Sequence, residues 1–274
     1  MWGLAPLYFV LVEFAAPTEI IVHRILWSLV LLLGILWIRG KLDGLCALTL
    51  RHLAWLALSG ALLAVNWWVF VWALQNERVM ETSVGYYINP LLSVVLGVLV
   101  LRERLRPWQW VAVAVAALGL TNEVVVAESV PLVALVLAAT FGFYGLVRKA
   151  LGVEPVLGLA VETILMLPLA LFGLYWLMAT QALRLPEFEG PGLFYLALGG
   201  VVTSLPLLCF NAAAVRLPLV ILGMIQYLAP SLTLLLAVFY YGEPFTQSKA
   251  ITFALVWVGL IIFTVEGLVR YRRA

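Results

Sequence analysis

Three ionisable side chains, His23, Arg24 and Glu162, lie inside long apolar runs of this sequence. A charge at the centre of a membrane helix costs about 2.5–3.5 kcal/mol, so such a residue faces protein or water rather than lipid. Arg24 has the chemistry to bind an acidic or polar group of a solute. It could equally lock to Glu19 or Glu81 as an outer gate. Glu162 could lock to Arg148 or Arg216 as an inner gate. The alternative is a purely structural charge, with Arg24 snorkelling towards an interface. His23 titrates near neutral pH when unperturbed, which suits proton coupling. A buried histidine can also be a satisfied structural donor.

A second group is polar or aromatic at the depth of the apolar runs. Tyr86, Tyr87 and Asn89 precede Pro90, and Gln226 and Tyr227 precede Pro230; Asn66, Trp67, Tyr144 and Asn211 are of the same kind. Together they suit an amphipathic pocket for a partly aromatic or amino-acid-like solute. Singly, each suits a packing or interface anchor. A proline inside a helix removes one backbone hydrogen bond and can kink it. We therefore expect Pro90 and Pro230 to act as paired hinges or cavity walls, or as static kinks.

Other chemistries lack their parts. Asp43 is the only aspartate and His23 and His52 the only histidines, which leaves no intramembrane aspartyl pair and no His-Glu-x-x-His zinc motif. Neither a Gly-x-Ser-x-Gly elbow nor a Walker A loop occurs. Cys46 and Cys209 make no metal set, and we expect no disulfide, metal or cofactor. No basic cluster interleaved with aromatics points to nucleic acid.

These side chains must be positioned by elements that live in lipid. Of the 274 residues, 65% are hydrophobic and 11% charged, against about 25% charged in a soluble domain. Mean hydropathy is +1.11. Ten apolar runs recur, at roughly 1–14, 18–38, 53–75, 82–101, 107–126, 131–148, 156–179, 191–215, 218–241 and 247–269. They are too long and unbroken for barrel strands. The expected fold class is an all-α polytopic membrane protein of ten transmembrane helices. The run from Met1 to Phe14 shows no charged leader or cleavage site. It is short of the ~20 residues that span a bilayer, so we expect further residues before Met1.

With the N-terminus inside, twelve basic residues fall on the cytoplasmic face: Arg39, Lys41, Arg51, Arg102, Arg104, Arg106, Arg148, Lys149, Arg216, Arg270, Arg272 and Arg273. Only Arg78, Arg184 and Lys249 fall outside. This asymmetry predicts cytoplasmic N- and C-termini. Acidic residues gather outside, among them Glu13, Glu77, Glu128, Glu187 and Glu189.

An internal repeat organises the chain. At an offset of 140, Gly60 meets Gly200, Tyr87 meets Tyr227, Pro90 meets Pro230, Glu103 meets Glu243 and Gly119 meets Gly259. Five helices per copy is an odd number, so the second copy enters the membrane inverted. We expect a first five-helix repeat over 1–126, its first helix truncated, and a second, inverted one over 131–274. Inverted repeats are a recurring transporter architecture with a site near mid-membrane. Arg24 and Glu162 occupy nearly corresponding positions, but their backbones differ in depth by roughly 13 Å at 1.5 Å per residue. Two separate sites lining one cavity are expected, rather than a direct pair.

The segments Arg102-Glu103-Arg104-Leu105-Arg106-Pro107-Trp108-Gln109 through Gly119, and Gly242-Glu243-Pro244 through Gly259, resemble the paired EamA signature of the drug/metabolite transporter superfamily. Several blocks more closely resemble the RarD proteins. They include Thr18-Glu19 to His23-Arg24 with Trp27-Ser28, Asn66-Trp67, and Gly85-Tyr86 through Asn89-Pro90. Phe143 to Lys149, Glu162-Thr163, Pro206 to Phe210 and Tyr241-Gly242-Glu243 continue the likeness along nearly the whole chain. The resemblance implies a ten-helix permease of the bacterial inner membrane, with the fifth and tenth helices peripheral to the path. The small residues Ala112, Ala114, Ala116, Ala117 and Gly119 permit close helix approach, and a homodimer through the fifth and tenth helices is one use for them.

The expected function is secondary transport, without ATP, of a small metabolite, amino-acid-like solute or amphipathic drug, in the direction of export and by alternating access. Its expected partners are the lipid bilayer and that small-molecule solute. A channel, an intramembrane enzyme or a structural membrane protein are the alternatives.

Overall fold

The computed structural model describes residues 1–76, 78–126, 132–184, 190–242 and 244–271. Glu77, Glu128, Glu187, Glu189, Glu243, Arg272 and Arg273, used above in the charge and repeat arguments, lie outside the described residues. Among the described residues every regular element is helical. The helices are α1 (Ala5–Leu11), α2 (Pro17–Ile38), α3 (Leu50–Gln75), α4 (Val79–Leu99), α5 (Pro107–Val126), α6 (Leu132–Leu151), α7 (Pro155–Ala179), α8 (Gly192–Arg216), α9 (Leu219–Gln226), α10 (Leu228–Phe239) and α11 (Gln247–Tyr271). Nine runs among the described residues are long and apolar enough to cross a membrane, counting Leu219–Phe239 as one. In lipid every backbone polar group must be satisfied internally, and the helix does this within one segment.

Local sequence sets the ends. Pro17, Pro107 and Pro155 open α2, α5 and α7, where the missing N–H is no loss and φ is already helical. Glu154 caps α7 by accepting from the Leu157 amide at 2.9 Å. At the far end of α2, Gly40 takes φ 61°. Its amide bonds the Trp37 carbonyl, and the Lys41 amide bonds that of Leu36. This Schellman pair satisfies carbonyls the helix would otherwise strand.

Two expectations about the spans need correction. The first apolar run is a short 3-10 turn, Trp2–Leu4, followed by α1, which ends at Leu11 rather than near 14. The ninth run is two helices with Tyr227 between them. Pro230 has no N–H and its ring crowds the carbonyl four residues back. That carbonyl belongs to Gln226, where α9 stops. By contrast α4 runs through Pro90, as α7 runs through Pro168 and α8 through Pro206.

By packing, the chain divides into two compact units, each drawing on both halves of the sequence. The first comprises Met1–Val71 and Val147–Arg216. In it α2 packs along both α7 and α8. A Cβ at Gly200 would fall 2.6 Å from the Trp27 backbone, so only glycine admits α2 there. Ile25, Met166 and Ala170 form one buried cluster, and Tyr8, Val12, Ala15, Ile20 and Leu196 another.

The second unit comprises Trp72–Leu146 and Leu217–Ala274. Here α4 packs on α9, and α5 on α11. Gly119 faces the Thr252 carbonyl, with 3.0 Å to a built Cβ, and Gly259 faces that of Ala112 at 2.7 Å. The 140-residue offset turns one contact into the other, Gly119 into Gly259 and Ala112 into Thr252. Asn122 adds hydrogen bonds to the Ser248 carbonyl, Ser248 Oγ and Thr252 Oγ1 at 3.1, 3.0 and 2.9 Å. The small-residue stripe of α5 is thus used within the chain, against α11. Close packing and interhelical hydrogen bonds drive helix association where lipid is as apolar as the side chains.

Candidate functional site

The polar side chains of the first unit form two centres. At one, the Arg24 Nε–H donates to Thr203 Oγ1 at 2.7 Å, and its guanidinium lies over the Trp67 ring at 4.7 Å. Phe9 is 6.0 Å away. One turn along α2, Ser28 donates to the Gly200 carbonyl at 3.3 Å. Arg24 and Ser28 therefore dock one face of α2 on Gly200 and Thr203 of α8. Beside them is a cavity of about 10 Å³, lined by Ser28, Trp67, Thr163, Met166, Thr203 and Ser204 among others. That is room for one water. The Ser204 hydroxyl is buried without a protein partner, so a polar occupant is favoured over an empty void.

At the other centre, Glu162 and Arg148 are both fully buried, with Nη1 3.5 Å from Oε1. Ser59 on α3 also donates to Glu162 Oε1. At Gly60 α3 lies against α7 at ordinary contact distance, a built Cβ sitting 3.5 Å from the Glu162 carbonyl. Gly158 has a stricter role. A Cβ at that position would lie 2.6 Å from Arg148 Cζ, so the guanidinium occupies the slot the glycine leaves. Arg148 Nη2 reaches the Pro155 carbonyl at 3.5 Å, while Nε and Nη1 have no hydrogen-bond acceptor.

The remaining expected site residues of this unit are spread around these centres. Glu19 is fully buried and accepts from the Arg184 amide at 2.9 Å, tying the segment after α7 to α2. His23 is half-buried, with Nδ1 unpartnered. Asn66 is half-buried on α3 and Asn211 buried on α8. Arg216 donates to the Ala212 carbonyl of its own helix, 2.9 Å away.

In the second unit Tyr87 and Tyr227 are both buried, and the Tyr227 hydroxyl donates to the Tyr87 carbonyl at 3.3 Å. Asn89 Nδ2 donates to Gln226 Oε1 at 2.7 Å. These four form one cluster. Tyr86, on another face of α4, is 51% exposed. Tyr144 is buried beside Phe141. Pro90 presents its carbonyl to Gly223 of α9, 2.6 Å from a built Cβ. Glu81 pairs with Arg78 at 3.4 Å and caps α6 at the Val133 amide.

Sequence reasoning missed Ser59, Gly158, Thr203 and Ser204. Hydroxyls in membrane helices commonly bond their own backbone, as Thr163 does to Leu159, so their type carries little signal. It also treated Glu103 only as a marker of the repeat. Its two carboxylate oxygens accept from the Leu219 and Val220 amides at 2.7 and 2.9 Å, holding the start of α9. Among the described residues no three metal-ligating side chains converge. The arrangement can bind polar and charged groups of a solute and hold or release buried charge.

A model of the EamA-like transporter family matches residues 1–121 and again 129–265. An uncharacterized transporter of Vibrio cholerae is 46% identical over 98% of this chain and 89% of its own length. Protein RarD of Escherichia coli is 40% identical over 100% and 93%. One crystal structure at 20% identity superposes with a TM-score of 0.74, over 96% of this chain and 93% of its own, and so shares the fold.

Proposed function

The chain belongs to the EamA-like transporter family and is a multi-pass membrane transporter, and from that premise we propose that it is a secondary carrier exporting a small amphipathic or amino-acid-like solute across the bacterial inner membrane by alternating access. Two inverted five-helix repeats, 1–126 and 131–274, are the moving parts of this mechanism. The excess of basic residues in the short loops of one side supports cytoplasmic termini.

The observation that carries this proposal is Arg24. It is an intramembrane cation stacked on Trp67, bonded to Thr203 and set beside a small cavity that is mainly apolar, with Ser28, Thr163, Thr203 and Ser204 in its wall. An arginine in that setting presents a planar, charged, aromatic-backed surface, which suits a carboxylate or polar group on a partly aromatic solute. His23, Asn66 and Asn211 are the neighbouring polar groups on α2, α3 and α8. Glu162 with Arg148 forms an inner latch, and Glu19 with the Arg184 amide an outer one. Tyr87, Asn89, Gln226 and Tyr227 supply a second polar cluster, flanked by Pro90 and Pro230 as hinge points.

The test is counterflow in proteoliposomes loaded with a panel of amino acids, nucleosides and chloramphenicol. Saturable, accelerated exchange of any one solute supports a carrier and identifies its class. Flux that does not saturate and shows no counterflow would mean a channel instead.

A further inference from the structure

We infer that Glu162 is a reversible proton-binding site inside the membrane and that the proton is the coupling ion of this protein. The coupling role rests on the carrier proposed above, whereas the proton binding does not.

The ion pair it forms is poorly made for stability. Glu162 and Arg148 are withdrawn from solvent altogether, yet their closest approach is 3.5 Å, longer than the 2.7–2.9 Å typical of a charge-assisted hydrogen bond. Arg148 keeps Nε and Nη1 without acceptors. For Arg148, a 3.5 Å contact to Glu162 and another of 3.5 Å to the Pro155 carbonyl only partly offset the desolvation of a fully buried guanidinium, which is no stabilising device. Unsatisfied buried groups of this kind call for another explanation. A charge that must periodically be neutralised supplies one.

Ser59 provides the second half of the device. Its hydroxyl has two acceptors within reach, Glu162 Oε1 and the Leu56 carbonyl, the latter at 3.1 Å. One hydroxyl hydrogen serves one acceptor at a time, while the oxygen can also accept. With Glu162 ionised, Ser59 donates to the carboxylate. With Glu162 protonated, the new carboxyl O–H donates to Ser59 Oγ, and Ser59 turns its hydrogen to Leu56. The carboxyl group thus keeps a hydrogen-bond partner in both protonation states by rotation of a single hydroxyl, without repacking a helix. The transfer itself moves one proton from a hydronium ion to a carboxylate oxygen: one O–H bond of the hydronium breaks, one forms on the carboxyl, and a neutral water is left.

Thr163, the next residue after Glu162, lines the one-water cavity together with Ser28, Thr203 and the unpartnered hydroxyl of Ser204. Arg148 is the charge set against Glu162. Other charged groups on the surrounding elements have their own engagements. On α2, Arg24 is bonded to Thr203 and Glu19 to the Arg184 amide. Arg39 pairs with Glu154 at 3.6 Å, and His52 at the start of α3 bonds Thr49. Lys149 and Arg216 donate to the Ala214 and Ala212 carbonyls. Arg51 begins α3 in an exposed position, and Lys41 and Asp43 line a surface pocket beside Glu154. His23 on α2 is the rival titrating group and serves as the control.

The experiment is infrared difference spectroscopy of the full-length protein in lipid membranes, cycled between acid and alkaline buffer, with protons as the only ligand. Wild-type protein should show the carbonyl band of a protonated, buried carboxylic acid. Glu162→Gln should lose that band and His23→Gln should keep it. Ser59→Ala should keep it but move it to higher wavenumber, because the acid loses its hydrogen-bond partner. A band unchanged in Glu162→Gln would overturn the inference. If that variant does not insert, a Ser59→Ala band at the wild-type position overturns it equally. A wild-type band obeying these rules in a protein that exchanges no solute would sink the carrier proposal and leave the proton site standing.

Discussion

The hydroxyl of Tyr227 reaches the backbone carbonyl of Tyr87 across 3.3 Å, and the two residues are 140 positions apart. That is the offset at which the sequence matches itself, so the repeat brings its own equivalent residues into contact. The same offset exchanges two further contacts, that of Gly119 with Thr252 and that of Gly259 with Ala112. Corresponding residues of two copies touch one another when they lie near a two-fold axis relating them. In the proposed two-repeat arrangement, Tyr87, Tyr227 and the α5–α11 contact are where the copies would meet.

Tyr227→Phe should therefore weaken the second unit only modestly. Interhelical hydrogen bonds in membranes contribute about 0.6 kcal/mol on average, because the separated groups find other partners. The Tyr87 carbonyl also remains inside α4. Thermal unfolding in detergent should show a loss of that order for Tyr227→Phe. Tyr227→Ala, which empties a fully buried aromatic site, should cost about 3–5 kcal/mol. Equal stability of the phenylalanine variant and wild type would mean that the hydroxyl contact is not held in the membrane.

Glu103 gives a sharper expectation. Both of its oxygens are committed to the first two amides of α9, a short helix of 8 residues. Removal of a capping side chain costs about 0.5–2 kcal/mol. Glu103→Ala should fall in the upper part of that range, and Glu103→Gln, which keeps one acceptor oxygen, in the lower. Hydrogen–deuterium exchange at Leu219 and Val220 should rise in both. Unchanged exchange there would remove Glu103 from this role.

The membrane-spanning runs were legible because lipid imposes a simple rule: about 20 apolar residues and internally satisfied backbone. The interruption at Tyr227 was not. Pro90, Pro168, Pro206 and Pro230 all lie within apolar runs, yet only the last coincides with a break. Whether a proline interrupts a helix depends on what packs around it, and sequence does not display Gly223 seated against Pro90. The charges were legible too, since intramembrane Arg24 and Glu162 stand out against leucine. Their neighbours were not. Arg148 and Arg216 are equivalent candidates for Glu162 on paper, and the choice turns on the slot at Gly158. Ser59 and Thr203 carry no mark that separates them from hydroxyls bonded to their own helix.

That slot makes Gly158 testable. A methyl at this position collides with the Arg148 guanidinium, and the backbone of α7 cannot retreat while α2 packs along it. Gly158→Ala should displace the arginine and leave Glu162 buried without its counter-charge, a loss of about 3–5 kcal/mol for a broken buried pair. Gly158→Ala with Arg148→Gln should be no worse than Arg148→Gln alone, because both changes remove the same contact. Monodisperse yield and thermal stability in detergent measure this. Additive losses would show that Gly158 serves something other than the arginine.

Arg24→Lys separates charge from shape. Lysine keeps the positive charge but lacks the planar guanidinium that covers Trp67 and the Nε–H that meets Thr203. Stacking of a cation on an aromatic ring contributes about 0.5–2 kcal/mol, more when desolvated, and the hydrogen bond to a charged donor adds about 1.5–3 kcal/mol. Those contacts hold the guanidinium in place, so their loss should raise the solute concentration needed for half-maximal counterflow. Trp67→Phe retains a smaller ring and should give a lesser rise. Thr203→Val should release the guanidinium from α8 while leaving the stack in place. If Arg24→Lys transports like wild type, a point charge is sufficient at this position and the planar, stacked surface plays no part in binding. If Arg24→Lys and Trp67→Phe both fail in proportion, the solute is held on the face of the guanidinium, and aromatic members of the panel should be the ones most affected.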